Sequence, residues 1–166
     1  RIHLYPTAGG EPRELPSSRP DDYPAGWTAD GKGLYVSRQG IPCPVDLIDV
    51  ATGSRSHFRD LGGPDAAGVT SFGPARVSPD GRTVLIGSED GGARLWELAT
   101  GRVVGEEFAH PRGVSCVAFE PAGETILTGC MDGQAWLWRL DTRQLLGPPL
   151  PHGNDPVCGL QSQRTR

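Results

Sequence analysis

Long apolar runs are missing from this sequence. Nowhere do its 166 residues approach the roughly 18 consecutive apolar positions that a membrane-spanning helix needs. A basic surplus is missing too: 16 Lys and Arg against 20 Asp and Glu give a formal net charge of −4. The basic residues are scattered, so the sequence carries no nucleic-acid footprint. Cysteine is sparse. Cys43, Cys116, Cys130 and Cys158 form no Cys-x-x-Cys pair, which argues against zinc, and a disulfide framework would need a denser pattern. They read as small buried core residues, compatible with a reducing compartment and a cytoplasmic location. No loop gathers the converging oxygens of a calcium site, so no cofactor is implied. No secretory leader is visible, although the chain opens on Arg1 rather than Met, so one can already have been removed.

What is present is glycine, proline and repetition. The 24 glycines and 16 prolines make up nearly a quarter of the chain, a content that approaches the disordered range. A fixed period argues for turns instead. Asp90 and Asp132, Trp96 and Trp138, Gly81 and Gly123, Pro79 and Pro121, and His110 and His152 each stand 42 positions apart. A repeat of this length is one supersecondary unit that cannot bury its apolar face alone, so neighbours must stack.

The second copy shows the unit. Val114, Cys116 and Phe119 make a short apolar run ending at Pro121, with Val117 breaking the alternation. Ala122-Gly123 is a turn signal, as Asp80-Gly81 is in the first copy. Thr125 to Thr128 suits a pleated strand. Asp132-Gly133 turns again, and Ala135, Leu137 and Leu140 follow with Trp136 and Trp138 alternating against them. After Asp141-Thr142, a fourth strand is expected to begin at Leu145-Leu146 and to run into Pro148 and Pro149, where ladder donors are lost. Four short strands joined by tight turns at this period predict one blade of a β-propeller.

These residues resemble a WD-repeat β-propeller, strongly over about residues 74–152. The second copy supplies Ala109-His110, Thr128, Asp132 and Trp138, and departs at Arg139, where the family prefers Asp. The first supplies Asp90 and Trp96, with Ile86 where Ser or Thr belongs and no His at the matching upstream position. The resemblance implies an all-β fold of four-stranded antiparallel blades at 74–109 and 110–151. Residues 24–61 are expected to form a looser blade, similar to propeller repeats of bacterial sensor and periplasmic proteins. There Thr28-Ala29-Asp30-Gly31 matches Ser78-Pro79-Asp80-Gly81, and Ala51-Thr52-Gly53 matches Ala99-Thr100-Gly101. Residues 1–15 read as the last two strands of a blade whose first half is absent. Residues 152–166, with Val157 and Leu160, read as the start of another. The whole is expected to be one incomplete propeller region with apolar faces open at both ends, prone to self-association.

His110, Thr128 and Asp132 admit a catalytic reading, with Thr as nucleophile. No strand-turn-helix elbow accompanies them. The resemblance instead implies a structural hydrogen-bond network of His110, Thr128, Asp132 and Trp138, with Asp90 and Trp96 its partial counterpart. On that basis Asp132→Ala is expected to cost on the order of 1–3 kcal/mol, and Asp90→Ala less. The loops that would form a propeller's top rim carry Glu89, Arg112, Met131 and Asn154. Exposed Arg and Met favour protein contacts. The resemblance thus implies a non-enzymatic scaffold whose partners are other proteins. The alternatives are the sensory propeller of a bacterial signalling protein or kinase, and the propeller part of a hydrolase whose catalytic domain is not in this chain.

Overall fold

The computed structural model describes residues 1–62, 73 and 75–153, and these are all strand, turn and coil. A two-stranded hairpin, β1 (His3–Leu4) and β2 (Arg13–Glu14), comes first. Three four-stranded antiparallel sheets follow in chain order. Blade I comprises β3 (Tyr23–Trp27), β4 (Gly33–Ser37), β5 (Cys43–Asp49) and β6 (Arg55–Leu61). Blade II comprises β7 (Ala75–Val77), β8 (Thr83–Gly87), β9 (Gly92–Glu97) and β10 (Phe108–Ala109). Blade III comprises β11 (Val114–Phe119), β12 (Thr125–Cys130), β13 (Gln134–Arg139) and β14 (Leu150–Pro151). The all-β, four-stranded architecture expected from the repeat is therefore present. Among the described residues no helix is long and apolar enough to cross a membrane.

Turn chemistry fixes each blade. At the β7–β8 turn the Ser78 hydroxyl meets the Asp80 carboxylate at 2.5 Å and accepts the Thr83 N–H at 3.0 Å. Thr28 and Asp30 repeat this at the β3–β4 turn. The side chains give the two-residue turns a second set of bonds, as Asp and Ser do when they compete for local backbone groups. One local expectation needs correction. The fourth strand of blade III lies at Leu150–Pro151; Leu145 makes only an isolated bridge to Trp138. Pro148 and Pro149 cannot donate to a ladder, so they interrupt the pairing between the Leu145 bridge and Leu150. The break at Val117 is the consequence of a register shift between Val114 and Cys116 on β11, a bulge that turns Val117 into the core.

Packing follows from cross-strand pairs. In blades I and II one pair on the two middle strands faces the following blade, Tyr35–Leu47 and Leu85–Leu95; the equivalent pair in blade III is Leu127–Leu137. The neighbouring pairs Val84–Trp96 and Ile126–Trp138 face the preceding blade, and Leu34–Ile48 faces the N-terminal hairpin. Tyr35 and Val45 thus pack with Val77, Val84, Ile86 and Trp96 between blades I and II. Leu85, Leu95 and Phe108 pack with Val117, Ile126 and Trp138 between blades II and III.

The two ends differ. Leu34, Val36 and Ile48 on blade I are covered by Ile2, Leu4 and Leu15 of the N-terminal hairpin and its connecting segment. Leu15 and Ile48 are fully buried. The expectation of open faces at both ends therefore fails at this end. Two strands suffice to cover it because the apolar patch is narrow and the rest of that face is a charged cluster. The hairpin segment sits so close that a Cβ at Gly53 would collide with Pro16, and Gly53 has φ +72°, a conformation that favours glycine.

Candidate functional site

Each blade carries a polar hub at one equivalent place, the cross-strand pair next to the interblade core. The pairs are Val36–Asp46, Ile86–Arg94 and Thr128–Trp136. The three blades satisfy this position in three ways.

In blade III the hub is aromatic. Thr128 is fully buried. Its hydroxyl accepts the Trp138 Nε1–H at 3.0 Å and lies 2.6 Å from His110 Nε2. The Trp136 carbonyl is farther, at 3.3 Å. The one hydroxyl proton goes to the nearer acceptor, which places the His110 proton on Nδ1. His110 sits edge-on to both tryptophans, at 5.4 Å from each ring, and Trp136 stacks on Trp138 at 5.9 Å. Asp132 stands apart from this chain. Its Oδ1 accepts the Gln134 N–H at 3.0 Å, while His110 Nδ1 is buried without a hydrogen-bond partner among the described residues. His110, Thr128 and Trp138 are thus brought together, and Asp132 contributes its charge only. A hydroxyl with no solvent exposure cannot meet a substrate, so the arrangement does not suit a nucleophile.

In blade II the hub is ionic. Arg94 pairs with Asp90 at 3.1 Å and with Glu107. Asp90 Oδ1 also accepts the Gly92 N–H at 2.8 Å. Ile86 takes the place of the hydroxyl and packs in the same cluster as Trp96.

In blade I the hub is a larger charged cluster, which the sequence reading missed. Arg55 grips Asp22 with two bonds, 2.6 and 2.9 Å, and Asp46 with two more, 2.9 and 2.5 Å. Arg38 reaches Asp46 at 3.1 Å, and His57 Nδ1 lies 2.9 Å from Asp46 Oδ1. The Asp22 side chain has no exposure and that of Asp46 has 7%. Burial pushes both carboxyls up, but the hydrogen bonds from Arg55, joined by Arg19 N–H at Asp22 and by His57 at Asp46, outweigh it and hold both below the ordinary range. Arg55 is raised in turn. The available signal was Asp46 itself, a charge between Val45 and Leu47; its partners Arg38, Arg55 and His57 stand 8, 9 and 11 positions away and follow no spacing rule.

These hubs set the acid response. Burial holds His110 below its ordinary value, while the Phe108 and Gly91 backbone and the charges of Asp132 and Glu107 partly oppose it. A depressed folded value means the unfolded chain binds the extra proton, so stability falls as pH drops below about 6.5. The depressed Asp22 and Asp46 act in a second window: their contribution is present above about 3.9 and is lost as pH falls through their lower folded values. Urea midpoints between pH 8 and 3 are expected to show two successive losses. His110→Asn should remove the upper one; a single loss confined to below pH 4 would contradict this.

Above the hubs lie the rim loops. The β8–β9 turn holds Glu89, the β10–β11 connection holds Arg112, and the β12–β13 turn holds Met131; all three residues are exposed. Backbone bonds stitch these loops together: His110 N to Gly91 O at 2.7 Å, Val114 N to Ser88 O at 2.9 Å, and Met131 N to Gly113 O at 2.8 Å. They converge on Gly113, where a Cβ would stand 3.0 Å from Met131 Sδ and 3.1 Å from the Glu89 backbone. Asn154 falls outside the described residues, as do Cys158, Val157 and Leu160. Among the described residues no group of three or more His, Cys, Asp or Glu could hold a metal ion.

Comparison with known families gives a match to the family model "WD domain, G-beta repeat" over residues 50–97 and 101–139, more than half of the chain. No curated protein matches it.

Proposed function

Because this chain belongs to the WD-repeat family, whose domains are generally protein-interaction scaffolds, we propose that it is a non-enzymatic scaffold that binds another protein through the rim of blades II and III. The observation that supports this is the meeting of Met131 and the Glu89 backbone at Gly113, the residue after Arg112. The stitched backbone fixes the loops that present these side chains, so little loop ordering is needed on binding. Met131 offers a soft apolar centre, 41% exposed, flanked by one charge of each sign. Arg and Met are both enriched in the buried parts of interfaces. The hubs beneath are scaffolding in this reading. Their side chains satisfy one another inside the blades and leave the loops to carry recognition. Nothing among the described residues favours the sensory or hydrolase-linked alternatives over this one.

A photo-crosslinking residue at position 112 or 131 tests it in cells that make the protein. Adducts to one defined protein are expected from both rim positions. None is expected from Lys32 or Arg82, which sit in turns at the opposite end of the strands. Arg112→Glu should weaken that contact at least roughly tenfold, as reversal of an interface charge does. Equal labelling from both ends would remove the rim from consideration.

A further inference from the structure

Arg143 stands where the other two blades carry glycine. Ala51-Thr52-Gly53 and Ala99-Thr100-Gly101 end their turns on glycine, whereas Asp141-Thr142-Arg143 ends on arginine. The backbone is left-handed at all three, with φ of +72°, +70° and +56°. That conformation is costly for a residue with a Cβ, and such an outlier persists where its surroundings hold it. What holds Arg143 lies across the joint, on blade II. Its Nη1–H donates to the Glu106 carbonyl and its Nη2–H to the Val104 carbonyl. Its guanidinium carbon sits 4.8 Å from the centroid of the Phe108 ring, within cation–π range.

These contacts fall on a loosely paired connection. Blade I joins β5 to β6 through residues 50–54, and β6 is seven residues long. Blade II joins β9 to β10 through residues 98–107, and β10 is two residues long. Val104 N–H still donates to Leu95 O at 2.8 Å. Among the described residues Gly105, Glu106 and Glu107 make no bond to another backbone group. The Glu107 carboxylate then pairs with Arg94, Arg94 holds Asp90 at 3.1 Å, and Asp90 accepts the Gly92 N–H at 2.8 Å. That turn carries Glu89 on the rim. We infer that Arg143 is a latch: its fork holds the strap Val104–Glu107 against blade III and, through Glu107 and Arg94, fixes the rim turn of blade II. Strap and latch fit one another. Gly105 has φ +67°, and a Cβ there would stand 2.6 Å from Arg143 Nη2. The latch concerns how the rim turn is held and not what the rim binds, so a rim that binds nothing leaves it intact.

Native-state hydrogen exchange of the full chain, read by nuclear magnetic resonance, tests it. Three amides report on the strap and the turn: Val104, Gly92, and His110, which donates to Gly91 O at 2.7 Å. Val50 in blade I and Leu140 in blade III, bonded to the Lys32 and Glu124 carbonyls, serve as references. Arg143→Gly is the clean variant, because glycine already takes this left-handed position in blades I and II. It should speed exchange of all three reporters at least roughly tenfold over the references, as local opening does. Arg143→Lys keeps the charge but not the fork that spans two carbonyls, and should act in the same direction. Gly105→Ala should do so too, since its Cβ displaces the guanidinium. Combined with Arg143→Gly, its effect should fall short of the product of the two, because both changes break one contact. Unchanged reporters would overturn the inference, as would effects that multiply in full. Equal acceleration of reporters and references would mark general destabilisation and overturn it as well. Faster exchange at Val104 with Gly92 and His110 unchanged would do the same, since the strap would then end short of the rim.

Discussion

Replacing Arg55 by alanine is expected to destabilise the protein by about 3–5 kcal/mol, the range for breaking one side of a buried ion pair. Among the described residues Arg55 is the single cation that touches both Asp22 and Asp46 at bonding distance with its full fork. Its removal leaves two carboxylates with almost no exposure. Arg38 remains, but at 3.7 Å from Asp22 and 3.1 Å from Asp46, and it is the more exposed of the two arginines. Arg38→Ala should therefore cost clearly less. Arg55 also holds the Ser17 carbonyl at 3.1 Å, so its loss frees the segment that carries Leu15 and the hairpin. The expected signature goes beyond a lower urea midpoint. Hydrogen exchange should accelerate at the Leu15 amide, whose bond to the Ile2 carbonyl at 2.8 Å closes the hairpin. Asp22→Asn combined with Arg55→Ala should recover part of the loss, because the second change removes an orphaned charge. A cost below about 1 kcal/mol would mark the cluster as an ordinary surface network.

The fold class was legible because turn signals and the period are local. Asp80-Gly81, Ala122-Gly123 and Asp132-Gly133 announce turns within two residues, and a repeat of 42 makes each unit a check on the other. Blade I was harder to read because its turns match those of blade II at shifting offsets and its third strand lacks a terminal Trp. The His110–Thr128–Trp138 contacts lie in one repeat, so spacing alone could suggest them. The Arg55 cluster joins a loop, two strands and the end of a third, from residue 22 to residue 57. No periodicity encodes such a set. The capped first end was also hidden. A two-residue strand at His3–Leu4 carries almost no pattern, and what makes it effective is Leu15, placed by a loop.

Asp132 shows where resemblance outruns geometry. Its place in the motif suggested that it orients His110, whereas here it caps its own turn. The consequence is a reordering of expected losses. Asp132→Ala removes one acceptor from a half-exposed turn and should cost under about 1 kcal/mol. Asp90→Ala removes the acceptor of the Gly92 N–H and one partner of Arg94, whose side chain is 17% exposed. It should cost as much or more, about 1–2 kcal/mol, the reverse of the order expected from the sequence.

Thr128→Val should exceed both, at about 2–4 kcal/mol. Valine has nearly the same shape, so no cavity term enters and the whole effect is polar. The substitution strands the Trp138 indole N–H, which loses its acceptor, and His110 Nε2, which loses its donor. Each buried orphan costs about 1–3 kcal/mol. Neither finds a ready replacement: Trp138 is 8% exposed and packs against Phe108 at 5.5 Å, and His110 is held edge-on against the two tryptophan rings. Thr128→Ser keeps the hydroxyl and should retain most of the stability, with a modest loss for the missing methyl. The tryptophans supply a direct readout, because Trp136 and Trp138 are stacked and edge-on to His110. Their near-ultraviolet circular dichroism should change in the Val variant and stay close to native in the Ser variant. Urea denaturation of the four variants then decides. If Asp132→Ala proves as costly as Thr128→Val, Asp132 does orient His110 in solution and the broken link described here is wrong. If Thr128→Val costs no more than a surface change, the hydroxyl is not the hub of blade III.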